Sequence, residues 1–203
     1  MNLCSILDIN YKTVLFLESK CRILMSLSNS DKLLISLFYE ADVFNFGEKL
    51  KNNAGRASEQ QPILGILSTD KENNYPQYLK LRLINDYTGL SLKKNIDQRC
   101  VLSHDALFNT DVEKCFNTLN EEVQVKNKKI SYEEKNHILF WLNIINRNIK
   151  NNITWIYHGI IKREKPLFLN EQDYRFNHRN MGKLLWIKSR NTCRDHFLSV
   201  IDR

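Results

Sequence analysis

What most constrains this chain is its shortage of punctuation: 203 residues hold 6 glycines and 3 prolines. Tight hairpins and left-handed turns draw on those two residues. A chain poor in both is expected to run in long helices rather than in many short strands. With 42% apolar and 26% charged residues it has material for a real core and is no disordered chain. The fold class that follows is mostly α: a helical bundle with long loops, with one short β-hairpin admitted near residues 153–168.

Hydrophobic periodicity supports that expectation in places. Val14, Leu15, Leu17, Cys21, Ile23, Leu24 and Leu27 fall at helical spacing. Ser28-Asn29-Ser30-Asp31 breaks that run, and the apolar segment Leu33–Phe38 then reads as the second arm of a helical hairpin. Pro76 suits the first turn of a helix over Gln77–Tyr87, closed by Gly89. Thr110 and Glu113 form a capping-box pattern that predicts a helix through about Val125, and Ser131 with Glu134 form a second. Behind it, Ile138, Leu139, Trp141, Leu142, Ile144 and Ile145 make the most apolar helix, ended by Asn151-Asn152. Ile153, Trp155 and Tyr157 alternate as a strand does, which motivates the hairpin. Asn170 then reads as the N-cap of a helix running almost to Ile201. The expected division is an N-terminal helical hairpin over residues 1–50, a loop region over 51–75 and a helical domain over 76–203. All three are compatible with one compact core.

Net charge is +7, which suits a polyanionic partner, most often nucleic acid; the competing explanation is a Lys- and Asn-rich composition. The cysteines (Cys4, Cys21, Cys100, Cys115, Cys193) are odd in number and widely spaced. They make neither a disulfide framework nor a zinc knuckle, and read as buried, reduced thiols. No stretch approaches the length of a membrane span, and no leader pattern opens the chain, so a cytoplasmic protein is expected. No glycine-rich phosphate loop, H-E-x-x-H or G-x-S-x-G is present. No cofactor and no metal is expected.

One motif has specific chemistry. Leu184, Leu185 and Ile187 lead into Arg190-Asn191, and His196 follows six residues after the arginine. The segment 184–197 resembles the HEPN superfamily, whose nucleases carry R-x(4–6)-H, often with Asn after the Arg. Arg99 and His104 match the looser pattern without a preceding apolar helix. Phe197 departs from the small residues common after the family's histidine. The resemblance implies a metal-independent endoribonuclease acting as a toxin or antiviral defence effector. His196 is then the general acid/base, Arg190 the phosphate clamp and Asn191 the residue orienting them. Arg194, Arg179, His178 and Lys188 are the associated candidates for nucleic-acid contact. Residues six apart on one helix differ by about 120° in direction, so such a site calls for a homodimer or a protein partner, with RNA as substrate. The competing reading is a non-catalytic basic helical protein that binds nucleic acid or serves as a subunit of a larger assembly. Arg190 and Arg194 are then an ordinary i,i+4 pair on a solvated face.

Overall fold

The computed structural model describes residues 3–29, 33–46, 61–70, 75–110, 116, 124–127, 139–152, 164–182 and 191. Two compact units emerge, one from residues 1–31 with 166–203, the other from 32–165.

The first unit contains α1 (Leu3–Leu7), α2 (Tyr11–Asn29) and α5 (Lys165–Asn177). Asn10 caps α2, its Oδ1 accepting from the Thr13 N–H at 2.9 Å. Glu171 of α5 is buried and joins the helices: Arg22 of α2 donates Nε to it at 2.8 Å, and Arg175 one turn on does the same. Asn170 Nδ2 donates to Ser26 Oγ at 2.9 Å. Asn170 is thus a mid-helix contact and not the N-cap expected of it.

The second unit is built on a five-stranded sheet, which corrects the mostly α expectation. Its strands are β2 (Phe38–Phe46), β3 (Gln61–Thr69), β4 (Pro76–Leu83), β6 (Leu107–Thr110) and β7 (Gln124–Asn127), in the order β4-β3-β2-β6-β7. β2, β3 and β4 pair antiparallel, whereas β6 joins β2 in parallel and β7 joins β6 in parallel. A small parallel pair, β1 (Leu34–Ile35) with β5 (Cys100–Val101), stands apart from it. Two helices belong to this unit, α3 (Gly89–Asp97) and α4 (Phe140–Asn151).

The sheet is buried on both faces. Tyr39, Ala41, Leu64, Ile66 and Phe108 share one core cluster with Leu92 and Ile96 of α3. On the other face a Cβ placed on Gly65 would lie 3.2 Å from Leu142 of α4 and 3.5 Å from Phe44. Strand alternation puts Ile63 and Leu67 on that same face, and both are fully buried. β3 accordingly reads Ile-Leu-Gly-Ile-Leu without polar interruption, as a strand covered on both sides does.

Several helical expectations give way for identifiable reasons. Leu33–Phe38 is too short an apolar run to show a period, and it contributes β1 and the start of β2. Pro76 opens a strand, a position that needs no ladder N–H, and Tyr78, Lys80 and Arg82 alternate with Leu79, Leu81 and Leu83. Thr110 ends β6 and Val125 lies in β7, so no single helix joins them. α2 and α4 stand where periodicity puts them. The hairpin expected near residues 153–168 lies largely outside the described residues, and its last positions belong to α5. Among the described cysteines Cys100 is buried and Cys21 exposed. No helix among the described residues is long and apolar enough to cross a membrane.

Candidate active site

β2 carries two acidic residues, Glu40 and Asp42, in the middle of the sheet. They point to the same face, because residues two apart on a strand do. That face is the one α4 covers. Glu40 Oε2 accepts the Leu142 N–H at 2.8 Å, and two residues beyond Asp42 the Phe44 ring lies 5.5 Å from Lys150 Nζ. Gly65 is the register partner of Asp42. Its missing side chain lets α4 settle close against the sheet beside Asp42.

The two carboxylates have different surroundings. Glu40 is 2% exposed, and burial pushes its carboxyl up from 4.5 to about 7; the N–H groups of Leu142 and Trp141 pull partly the other way. Leu139, at the N-cap position of α4, makes no side-chain cap bond. The first-turn donors are met by Glu40 from the neighbouring strand instead, a cap supplied through the tertiary fold. Asp42 is only partly buried, and it is the acidic side chain of β2 that solvent or a ligand can reach.

The parallel strand β6 brings a distant part of the chain to the same place. Asn109 pairs with Glu40 and Thr110 with Ala41. Paired residues of parallel strands share a face, so Asn109 belongs to the Glu40 and Asp42 side. The next residue in the chain is Asp111, which lies outside the described residues. α4 presents Leu142, Ile145, Asn146 and Ile149 as buried residues, and Arg147, Asn148 and Lys150 as exposed ones. Trp141 is half-buried, edge-on to Tyr75 and Phe140. No group of three or more His, Cys, Asp or Glu poised to hold a metal ion occurs among the described residues.

The motif-derived residues do not assemble into a described site. Arg190, Arg194, His196 and Lys188 lie outside the described residues, and Asn191 is a partly buried helical residue. His178 is buried just beyond α5, with Nδ1 2.8 Å from the Tyr174 carbonyl oxygen and its ring 4.2 Å from the Tyr174 ring. Arg179 beside it is exposed, lies over the Phe176 ring and donates to the Phe176 carbonyl at 2.9 Å. Both residues finish a helix end. What residue reading missed is Glu40 and Asp42. Their signal is present in Phe-Tyr-Glu-Ala-Asp-Val-Phe, where two acids two residues apart interrupt an apolar run on one face only.

Comparison with known proteins bears on the whole of this architecture. No curated protein matches. Among solved structures, the catalytic core domain of BIV integrase aligns at 12% identity with a TM-score of 0.42, covering 66% of this chain and 80% of that one. The ISXO2-like transposase domain matches residues 38–177, from the first residue of β2 to the last of α5. That span excludes Arg190–His196, so the HEPN resemblance is overturned. With it go the metal-independent ribonuclease, its toxin or defence role, and the non-catalytic helical alternative. A two-residue pattern with a loose spacer recurs by chance, as Arg99 and His104 illustrate, whereas a match over more than half the chain does not. The chain belongs to the ISXO2-like transposase domain family.

Proposed function

We propose that this protein acts on DNA as a transposase domain, and that Asp42 with Asp111 forms the acidic centre at which phosphodiester bonds are broken and joined. The observation that carries the reading is Asp42 itself: a reachable carboxylate on the central strand, under α4 and next to the end of a parallel strand. Asp111 enters through covalent geometry. It directly follows Thr110 in the sequence, and Thr110 pairs with Ala41, the neighbour of Asp42.

Transposition is phosphoryl transfer, so charge builds on non-bridging phosphate oxygens and must be neutralised. Two carboxylates suit Mg²⁺ or Mn²⁺, hard cations commonly held by one or two acidic residues together with water and substrate phosphates. A divalent cation bound there supplies Lewis-acid stabilisation and lowers the pKa of a coordinated water. The chain's own residues set the geometry. Asp42 rides on a strand with neighbours on both sides, which limits its movement. Glu40 ties the start of α4 to that strand. Arg147 and Lys150 put positive charge on the exposed side of α4, where a DNA backbone could be held, and the net charge of +7 favours such a partner.

The test uses the purified full chain and end-labelled duplex DNA, with Mg²⁺, Mn²⁺ or EDTA. Strand cleavage or joining is expected with either cation and absent in EDTA. Asp42→Asn and Asp111→Asn should each lower the rate at least 100-fold while leaving the circular dichroism spectrum unchanged. Absence of cation-dependent strand cleavage by the unsubstituted chain, or activity surviving Asp42→Asn, overturns the reading.

A further inference from the structure

The rings of Tyr75, Phe140 and Trp141 gather where α4 begins. Trp141 lies edge-on to Tyr75 and to Phe140, with ring centroids 5.8 and 5.1 Å apart. Trp141 is half-buried, whereas Tyr75 and Phe140 are each 46% exposed. Single exposed aromatics are ordinary, but a group of them marks a contact surface. Core packing does not account for this group, because its two outer rings keep nearly half their surface in water. Edge-on packing leaves ring faces open, and a ring face suits a flat partner.

The backbone fixes where the group stands. Tyr75 immediately precedes Pro76, the first residue of β4, and its carbonyl accepts the Asp70 N–H at 2.9 Å across the turn between β3 and β4. Trp141 immediately precedes Leu142, whose N–H meets Glu40 Oε2 at 2.8 Å. Glu40 and Asp42 share a strand face and stand about 7 Å apart along it. Bases in a stacked strand advance about 3.4 Å each. The rings therefore flank the acidic face within a few nucleotides of Asp42. Inside a duplex each base is covered on both faces by its neighbours, so only a base freed from the stack offers a face to a protein. Breaking a phosphodiester bond creates a strand end, and a base at an end has a neighbour on one side only.

We propose that Tyr75, Phe140 and Trp141 form a stacking platform for unpaired bases of the DNA strand beside the bond cut at Asp42. The inference rests on the DNA-cleaving reading of Asp42 given above. Stacking needs only the π face that every base has, so the platform is indifferent to sequence. Arg147 and Lys150, exposed farther along α4, offer charge to phosphates. The rings add what charge alone lacks, a distinction between paired and unpaired DNA.

Fluorescence-anisotropy titrations of the full chain in EDTA compare two end-labelled DNAs, a blunt duplex and the same duplex carrying a short single-stranded extension. The extended duplex is expected to bind at least fivefold more tightly. Tyr75→Leu and Phe140→Leu together replace exposed rings by aliphatic side chains; they should abolish that preference while leaving affinity for the blunt duplex unchanged. Tyr75→Phe, which keeps the ring, should keep the preference. Thermal unfolding is recorded for each variant, and if the double variant does not fold, Phe140→Leu alone decides by the same comparison. Equal affinity of the unsubstituted chain for the two DNAs, or a preference that survives loss of the rings, overturns the platform. If cation-dependent cleavage is then still lost in Asp42→Asn, the Asp42 centre stands without it. Self-association that disappears in the double variant, with the DNA preference unchanged, assigns the rings to a contact between copies and also overturns the platform. If the chain binds neither DNA and shows no cation-dependent cleavage, the reading of Asp42 fails and the platform fails with it.

Discussion

Glu40 and Asp42 are two residues apart on one strand, and the fold asks different things of them. Glu40 is sealed beneath the start of α4 and works as a clamp: its carboxylate receives the first-turn N–H groups that Leu139 leaves without a side-chain cap. Burial has raised its carboxyl to about 7, so the folded chain prefers it protonated more strongly than the unfolded chain does. A raised pKa sets the sign of the linkage: the contribution is complete below about pH 4.5 and is lost as pH rises through 7. The full swing is on the order of 3 kcal/mol. Urea unfolding followed from pH 5 to pH 8 should therefore show declining stability, and Glu40→Gln should flatten that decline. A slope unchanged by Glu40→Gln would remove the clamp from consideration. Asp42, on the same face, is partly exposed and open to solvent.

At the scale of elements, the contact between β3 and α4 depends on Gly65. A side chain there would meet Leu142, Phe44 and Leu81 within 3.2–3.6 Å. Gly65→Ala asks only the tip of Leu142 to move, whereas Gly65→Val adds two further carbons where none fit. Gly65→Val is expected to destabilise the chain by about 1–3 kcal/mol, read from urea unfolding, and to lower DNA cleavage by lifting α4 from Asp42. Part of this architecture is legible in the residues. α2 and α4 follow a helical period over many turns. The sheet is not, because the reading that favoured helices assumed that turns need Gly or Pro. Here Asp, Ser and Thr make them. Thr88 donates its N–H and its hydroxyl to Asp86 at 2.9 and 2.6 Å before capping α3, and Ser36 Oγ accepts from the Phe38 N–H to open β2. The site was hidden for another reason. Motif reading compares residues near each other in the chain, but the acidic centre depends on β6 lying parallel to β2, a pairing between distant segments.

Across the whole molecule, α2 and α5, far apart in the sequence, meet in one compact unit. Glu171 is their hinge of charge, 5% exposed at its side chain, with Arg22 and Arg175 on its two oxygens. Glu171→Ala leaves the Arg22 guanidinium, itself 14% exposed, without that partner. It should lower stability to urea by about 3 kcal/mol; no change would mean that apolar contacts alone hold α2 to α5. The other unit, residues 32–165, contains the sheet, α4 and the proposed cation centre. The location of that centre is the central claim, and it can be read directly by loading the protein with Fe²⁺ in place of Mg²⁺ and adding ascorbate and peroxide. Radicals generated at a bound iron cut the nearest backbone, and mass spectrometry maps the cuts. Cleavage is expected around Asp42, around Thr110 and in the α4 segment that covers them, suppressed by excess Mg²⁺ and lost in Asp42→Asn. Cuts concentrated elsewhere, or spread along the chain and indifferent to Mg²⁺ and to Asp42→Asn, would contradict a cation centre on this face of the sheet.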